Sequence, residues 1–266
     1  MFGLYDLFSF KKTPLEMHLM DHDCDKMQSV YGHYSRVSFY DIGSLKEVLL
    51  HLKPFQKLFP RRQRIFIKEN ENMQSLTIAE FEKFFDIRFV SSLTFENYPL
   101  LKSVYFRMQG ALKNGLLYEE QMWEGSLHDT QLSVPSYEDV FIGFAGKEKG
   151  WGLFAKNSLK KGAFVGEYAG LLRKRKKALD RYNAYLFEYS YPEGKRTPWT
   201  IDALEMGNLT RFINHSMNPN LKPLIVYNRG FMKIVFIANR DISPSEELTY
   251  DYGENYWKKR NPPIDG

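Results

Sequence analysis

Three short segments hold the residue types that could do chemistry. KGWGLFA, Lys149 to Ala155, sets glycines on either side of a tryptophan. GNLTRFINHS, Gly207 to Ser216, gathers two asparagines, an arginine and a histidine, and EELTYDYG, Glu246 to Gly253, sets two tyrosines beside paired carboxylates. Glycines let backbone approach a ligand closely, although two glycines in a loop most often simply make a turn. Tyrosine rings attract cations and their hydroxyls can orient a nitrogen lone pair, whereas an isolated tyrosine in a strand is usually core.

Two other clusters are chemically conspicuous. His18, Asp21, His22, Asp23, Cys24 and Asp25 crowd together, with His33 further on. Their spacing matches no standard zinc pattern, so a solvated polar loop is the better reading and no metal is expected. Arg173-Lys174-Arg175-Lys176-Lys177 is a like-charge run, which reads as a solvated face, a nuclear-import signal or a phosphate contact.

In this order and spacing, the three segments resemble the SET domain of protein-lysine methyltransferases. The resemblance runs from about Val140 to Lys258 and takes in GEYAG, Gly166 to Gly170, and TIDA, Thr200 to Ala203. A finer likeness is to the stand-alone SET proteins of chlamydiae and related intracellular bacteria. It rests on the GEY segment followed by the basic run, on Asn208 to Leu221, and on Tyr256-Trp257-Lys258-Lys259-Arg260.

The resemblance implies methyl transfer from S-adenosylmethionine to lysine, with S-adenosylhomocysteine as product. That reaction is an in-line displacement needing a neutral, aimed amine. Free lysine has a pKa of about 10.4, so an apolar aromatic channel and a nearby sulfonium are needed to lower it. By resemblance Tyr252 is the catalytic tyrosine, Tyr168 lines the lysine channel opposite it, and Tyr185 lies by cofactor and channel. Lys149, Gly150, Trp151 and Gly152 would bring backbone to the methionyl part of the donor. Asn214 would bond the donor's amino group and the His215 backbone would meet the adenine. Arg211 and Phe212 are carried as cofactor-side residues that are partly structural in the family.

Two departures bear on the site. With Cys24 the single cysteine, cysteine-bound zinc modules around the domain must be absent. The tail from Glu254 would close the site instead, with Trp257 either a ring over adenine or channel, or buried against the domain. Tyr250 stands where the family carries Phe or Tyr, and tyrosine there implies monomethylation.

The elements that must position these residues change texture near Pro135. Before it, apolar spacing suggests helices over Ser44 to Leu58, from a Thr77–Glu80 capping box through Phe85, and from about Leu100 to Met122. After it, VFIGFA, GAFVGEYAG, AYLFEYSY, LIVYN and FMKIVFIA read as short strands, with Asn228-Arg229-Gly230 as a hairpin turn. The expected fold is α+β: a SET-type β-fold of small sheets with a knot-like C-terminal crossing, preceded by a mainly helical N-terminal region. The expected divisions are 1–135, 136–253 and a closing tail, 254–266.

Bulk properties exclude more than they identify. The chain has 266 residues, 43% hydrophobic and 26% charged, an ordinary globular composition. Aromatics reach 16%, which suits an aromatic site but mostly fills cores. A net charge of +5 favours polyanions only weakly. No apolar run approaches the roughly 18 residues of a membrane span, and the N-terminus lacks a signal-peptide layout.

The expected function is thus lysine methylation on histones or histone-like proteins; the alternative is a non-catalytic SET-like module binding peptide or chromatin partners. Glu188, Glu193, Asp202 and Glu205 are available to a basic tail, Arg173–Lys177 to DNA, and the N-terminal region to positioning substrate, to self-association or simply to completing the core. The expected location is the bacterial cytoplasm or, after export without a cleaved signal, a host nucleus.

Overall fold

The computed structural model describes residues 38–39, 63–69, 72–191 and 196–257. The His18–His33 cluster, the expected helix over Ser44–Leu58, Glu193 and the basic end of the tail, Lys258–Arg260, lie outside the described residues.

In chain order the first elements are β1 (Ser38–Phe39), β2 (Ile65–Glu69), β3 (Asn72–Leu76), α1 (Ile78–Phe85), β4 (Arg88–Phe89) and β5 (Thr94–Phe95). Three helices follow: α2 (Tyr98–Lys113), α3 (Glu119–Leu127) and α4 (Asp129–Ser133). Then come β6 (Val140–Phe144), β7 (Trp151–Ala155), β8 (Phe164–Glu167), β9 (Leu171–Lys174), α5 (Lys177–Asp180), β10 (Leu186–Ser190) and β11 (Arg196–Asp202). The last are β12 (Met206–Gly207), β13 (Asn214–His215), β14 (Leu221–Asn228), β15 (Phe231–Ala238), β16 (Thr249–Tyr250) and α6 (Glu254–Trp257).

The strands form small mixed sheets: β1-β5-β9-β11-β10, β3-β2-β6-β7, β14-β15-β8, and the pairs β12-β4 and β13-β16. Strands as well as helices precede Pro135, and they pair with strands that follow it: β2 with β6, β4 with β12, and β5 with β9. One apolar core cluster accordingly mixes Phe81, Phe95, Val104 and Met108 with Ile142, Leu172, Ile201 and Phe236.

Local sequence explains the element ends. Thr77 caps α1 and Glu80 reaches back to the Thr77 amide at 2.7 Å, while Asp86 ends the helix in the left-handed region. The stripe expected to run unbroken from Leu100 to Met122 is two helices, because Asn114 caps α2 and Gly115 turns the chain at φ +65°. Asn228 pairs with Phe231 across Arg229 and Gly230, both at positive φ, which is the two-residue hairpin geometry that a twisted strand pair favours.

The basic run is not one continuous charged face. Arg173 is buried at 6% exposure, and its guanidinium holds Asp180 and Asp202, both at 2.7 Å. The expectation that it meets DNA phosphate is therefore corrected for Arg173: on the face of β9 opposite the core residue Leu172 it is covered by Asp180 and Asp202. Asp202 is likewise engaged rather than offered to a basic peptide, since Asn183 also donates to it. Arg175 pairs with Glu188 at 3.1 Å and Lys176 sits 3.9 Å from Glu96. The Lys177 side chain lies outside the described part.

Candidate active site

The site forms where β13 runs parallel to β16, with Asn214 opposite Thr249 and His215 opposite Tyr250. This pairing brings the second and third sequence segments together. The first joins them through β7, since Leu248 N–H donates to the Leu153 carbonyl at 2.7 Å and Glu247 bridges Phe154.

Tyr252 lies at the centre of an aromatic cluster. Its ring centroid is 4.7 Å from Tyr250 and 4.7 Å from Tyr256, and it stacks on Trp257 at 6.2 Å with a 10° interplanar angle. The Tyr252 hydroxyl donates to the Ile213 carbonyl at 2.8 Å, and the Tyr168 hydroxyl donates to the Tyr185 carbonyl at 2.9 Å. Phe187 joins Tyr168, at 5.3 Å, to Tyr250, at 6.0 Å, while Phe236 packs on Tyr250 at 4.8 Å. Desolvation by these neighbours, with mutual repulsion of any phenolates, holds the Tyr168, Tyr250 and Tyr252 hydroxyls well above the ordinary tyrosine range. At neutral pH they are hydrogen-bonding groups and not bases.

A polar cluster adjoins the aromatic one. Asn214 Nδ2 donates to Glu247 Oε1 at 2.9 Å and to the Trp151 carbonyl at 3.3 Å. Those two bonds use both amide hydrogens, which leaves Oδ1 as the acceptor. Lys149 Nζ meets Glu247 Oε2 at 3.1 Å. Gly150 supplies the loop's positive φ of 70°. Gly152 forms the floor of this cradle, where an added Cβ would lie 3.0 Å from Glu247 Oε1 and 3.1 Å from Asn214 Nδ2.

His215 closes the far side. Its Nδ1 accepts from the Tyr252 amide at 3.2 Å, so its proton sits on Nε2. That Nε2 and the Trp257 indole N–H are buried and, among the described residues, have no partner. Their rings meet edge to face at 4.8 Å. Buried polar groups are ordinarily satisfied, so two orphan donors in one aromatic wall mark a place for an acceptor-bearing ligand.

The structure brings Tyr168, Tyr250, Tyr252, Trp257, Asn214 and His215 into this neighbourhood, with Lys149, Gly150 and Gly152 on its polar side. Tyr185 is reached through Arg211, whose guanidinium lies 4.0 Å over the Tyr185 ring and donates to the Ala203 carbonyl at 2.8 Å. The Phe212 side chain is instead buried, at 4.8 Å from Phe85 and 6.3 Å from Phe81. The Trp151 side chain also turns to α1, between Phe84 and Phe85, and only its carbonyl touches Asn214. Glu247, Phe187 and Phe236 carry no individual signal in the sequence, and Tyr256 stands out there only as part of the tail segment. Alternation along the final segment offered one signal: Glu246 turns to Arg240 and Asn220 while its neighbour Glu247 faces the cradle.

Among the described residues no His, Cys, Asp and Glu side chains gather to hold a metal, and no helix is long and apolar enough to cross a membrane.

Comparison with known proteins relates the stretch that holds these residues to a described family. A family model described as the SET domain matches residues 150–253. The chain is 36% identical over 116 residues to the human histone-lysine N-methyltransferase EHMT1, covering 42% of this chain and 9% of that protein. It is 38% identical over 114 residues to Su(var)3-9 of Drosophila melanogaster, also named a histone-lysine N-methyltransferase, covering 39% of this chain and 18% of that protein. The chain thus spans less than a fifth of the length of these relatives. Among solved structures, Arabidopsis thaliana SUVH6 in complex with SAM shares 33% identity over 43% of this chain and 27% of that one, with a TM-score of 0.38. The stretch 150–253 is the SET-like part of this chain, and it contains the tyrosine pair, the glycine loop and Asn214.

Proposed function

We propose that this protein transfers methyl groups from S-adenosylmethionine to lysine side chains of histones or histone-like proteins. The observation that carries the reading is the junction of two unlike clusters. A polar cradle of Gly152, Asn214 and Glu247 adjoins an aromatic cage in which Tyr252 packs on Tyr250 and Tyr168 joins through Phe187 and Phe236. One suits the amino-acid end of the donor; the other suits an alkylammonium.

The residues present fit the donor. Asn214 Oδ1 can accept from an ammonium, the side-chain-free Gly152 admits close approach, and the buried His215 Nε2 and Trp257 Nε1 hydrogens await an acceptor such as a purine supplies. The donor, when bound, supplies an electrophilic methyl on a sulfonium.

The chain's own groups do the rest. The Tyr168, Tyr250 and Phe187 rings exclude water and hold the lysine side chain, attracting its cation while disfavouring its full hydration. The Tyr252 hydroxyl, fixed by its bond to the Ile213 carbonyl, keeps its lone pairs available to orient an amine hydrogen. Because burial keeps these phenols neutral, none of them removes the ammonium proton, which must leave to solvent before transfer.

The hydroxyl of Tyr250 takes space in the cage, which favours monomethylation. The extension to a bacterial effector that reaches a host nucleus rests on the resemblance to chlamydial proteins read in the sequence, with Lys174–Lys177 and Tyr256–Arg260 as the basic segments left once Arg173 is taken into its buried ion pairs. The expected knot-like C-terminal crossing is supported by the parallel β13–β16 pairing of segments distant in sequence. Kinship of residues 150–253 to enzymes named for histone lysines supports a histone substrate.

The test is transfer of labelled methyl from S-adenosylmethionine to histones and to a bacterial lysate, with the modified lysines identified by mass spectrometry. Tyr252→Phe is expected to lower transfer by about a hundredfold while still binding S-adenosylhomocysteine. Full transfer by that variant would remove Tyr252 from the chemistry, and donor binding without any transfer in the wild type would favour a non-catalytic module.

A further inference from the structure

Within the polar cradle Glu247 is the hub, and it is the one group there that carries a negative charge. Its backbone is fixed on both sides: it bridges Phe154 of β7, and its carbonyl accepts from Asn220 Nδ2 at 2.8 Å. Its side chain is only 20% exposed, whereas the Lys149 side chain that meets it is 45% exposed. One carboxylate oxygen takes Asn214 at 2.9 Å and the other takes Lys149 at 3.1 Å.

A half-buried carboxylate needs compensating charge, and here that charge comes from a long side chain free to swing on its solvent side. An α-amino acid carries an ammonium and a carboxylate on one carbon. Offered to an ion pair of opposite polarity, it can exchange partners, its ammonium going to the fixed carboxylate and its carboxylate to the mobile lysine, so that no charge is left bare. Asn214 Oδ1, held in orientation by the same Glu247, adds a second acceptor for the ammonium.

Resting on the donor reading, we propose that Glu247 binds the α-ammonium of the donor and, with Lys149 on the α-carboxylate, makes the site specific for nucleosides that carry a zwitterionic amino-acid end. Glu247 also acts through Asn214, since it fixes which way that amide faces. The same carboxylate adds to the upward pressure on the Tyr252 phenol, which is consistent with its lying close to the reacting end as well.

The charge and the positioning separate by substitution. In Glu247→Gln the one amide oxygen can still accept from Asn214, so its orientation is kept, while the negative charge and the acceptor for Lys149 go together. Calorimetric titration should compare S-adenosylhomocysteine, which has the amino-acid end, with 5′-methylthioadenosine, which lacks it, on the full chain. Glu247→Gln is expected to weaken S-adenosylhomocysteine about tenfold and to leave 5′-methylthioadenosine unchanged. Lys149→Met should show the same ligand-selective loss, and Glu247→Ala, which also frees Asn214, a larger one.

Wild-type affinity for S-adenosylhomocysteine in Glu247→Gln would overturn the proposal, and so would equal weakening of both ligands, which would mean a general disturbance of the pocket. Failure of the wild-type protein to bind either nucleoside is a different result, one that removes the donor reading itself and this inference with it. Melting temperature within the scatter of wild type accompanies each valid comparison, and the conservative Glu247→Asp should recover part of the selectivity where Glu247→Gln does not.

Discussion

Gly152 carries its functional weight by what it lacks. A methyl there would lie 3.0 Å from both Ala145 Cβ and Glu247 Oε1 and 3.1 Å from Asn214 Nδ2, and the last two are bonded to each other. Gly152→Ala is therefore expected to push the Asn214–Glu247 pair by a few tenths of an ångström and weaken S-adenosylhomocysteine at least about tenfold, with little change in melting temperature. Calorimetry beside a thermal scan checks this, and unchanged affinity would show that the cradle is not used. Tyr250 gives a second expectation at this scale. Its ring lies in the cage between Phe236 and Tyr252, so Tyr250→Phe removes one hydroxyl and opens room for a bulkier methylated amine. Mass spectrometry of the product should move from one methyl toward two or three; an unchanged product would mean that neighbouring groups set the limit. The tyrosines and Asn214 were legible because each sits in a segment whose residue order is distinctive. Glu247 was not, since the doublet Glu246-Glu247 does not say which carboxylate faces inward. Nor were Phe187 and Phe236, which read as ordinary strand core until the cage placed them.

At the scale of elements, periodicity located most strands after Pro135, and the β14–β15 turn, because alternation and turn chemistry are local. It misread what depends on distant partners. The Leu100–Met122 stripe also breaks for a local reason, at Gly115, whose φ of +65° lies outside the helical region. The basic run looked like a surface, but Asp180 and Asp202 make Arg173 a buried bridge between α5 and β11. The docking of α3 on β14 was equally unreadable, since it rests on one glycine. An added Cβ at Gly125 would meet the Tyr227 carbonyl oxygen at 1.8 Å, and Asn228 Nδ2 donates to the Gly125 carbonyl at 3.1 Å. Gly125→Ala cannot be absorbed by a side-chain rotation because the obstacle is backbone. It should lift α3 from the strand and cost about 2–3 kcal/mol in urea unfolding, against a near-neutral cost for alanine at Gly110, which meets nothing within 4 Å. Equal stability of the two variants would refute the close approach.

Across the whole molecule, the division near Pro135 that composition suggested is crossed by hydrogen bonds at the site itself. Glu167, next to Tyr168, is buried with Lys233 at 2.9 Å, and the remaining capacity of that pair is met from earlier in the chain. Ser92 Oγ donates to Glu167 at 2.9 Å and accepts from Lys233 at 2.9 Å, and the Leu93 amide donates to Glu167 at 2.8 Å. A buried ion pair offsets its own desolvation only when such extra bonds are present, and breaking one costs about 3–5 kcal/mol. Beside that pair, Phe95 and Tyr105 pack on Phe231, and Phe81 and Phe85 on Phe212. Residues 136–266 alone would expose those apolar faces, leave β6, β9 and β12 with open edges, and strip the donors from a buried charge under Tyr168. Since a domain keeps only about 5–15 kcal/mol in total, these losses together exceed it. The fragment is expected to show no cooperative thermal transition and no S-adenosylhomocysteine binding, while the full chain shows both. A fragment that melts cooperatively and binds the ligand would mean that the strands after Pro135 hold Tyr168 in place by themselves. Failure of the fragment with rescue by a separately supplied segment 63–135 would instead locate the missing support in the Ser92–Glu167–Lys233 contact and the sheets around it.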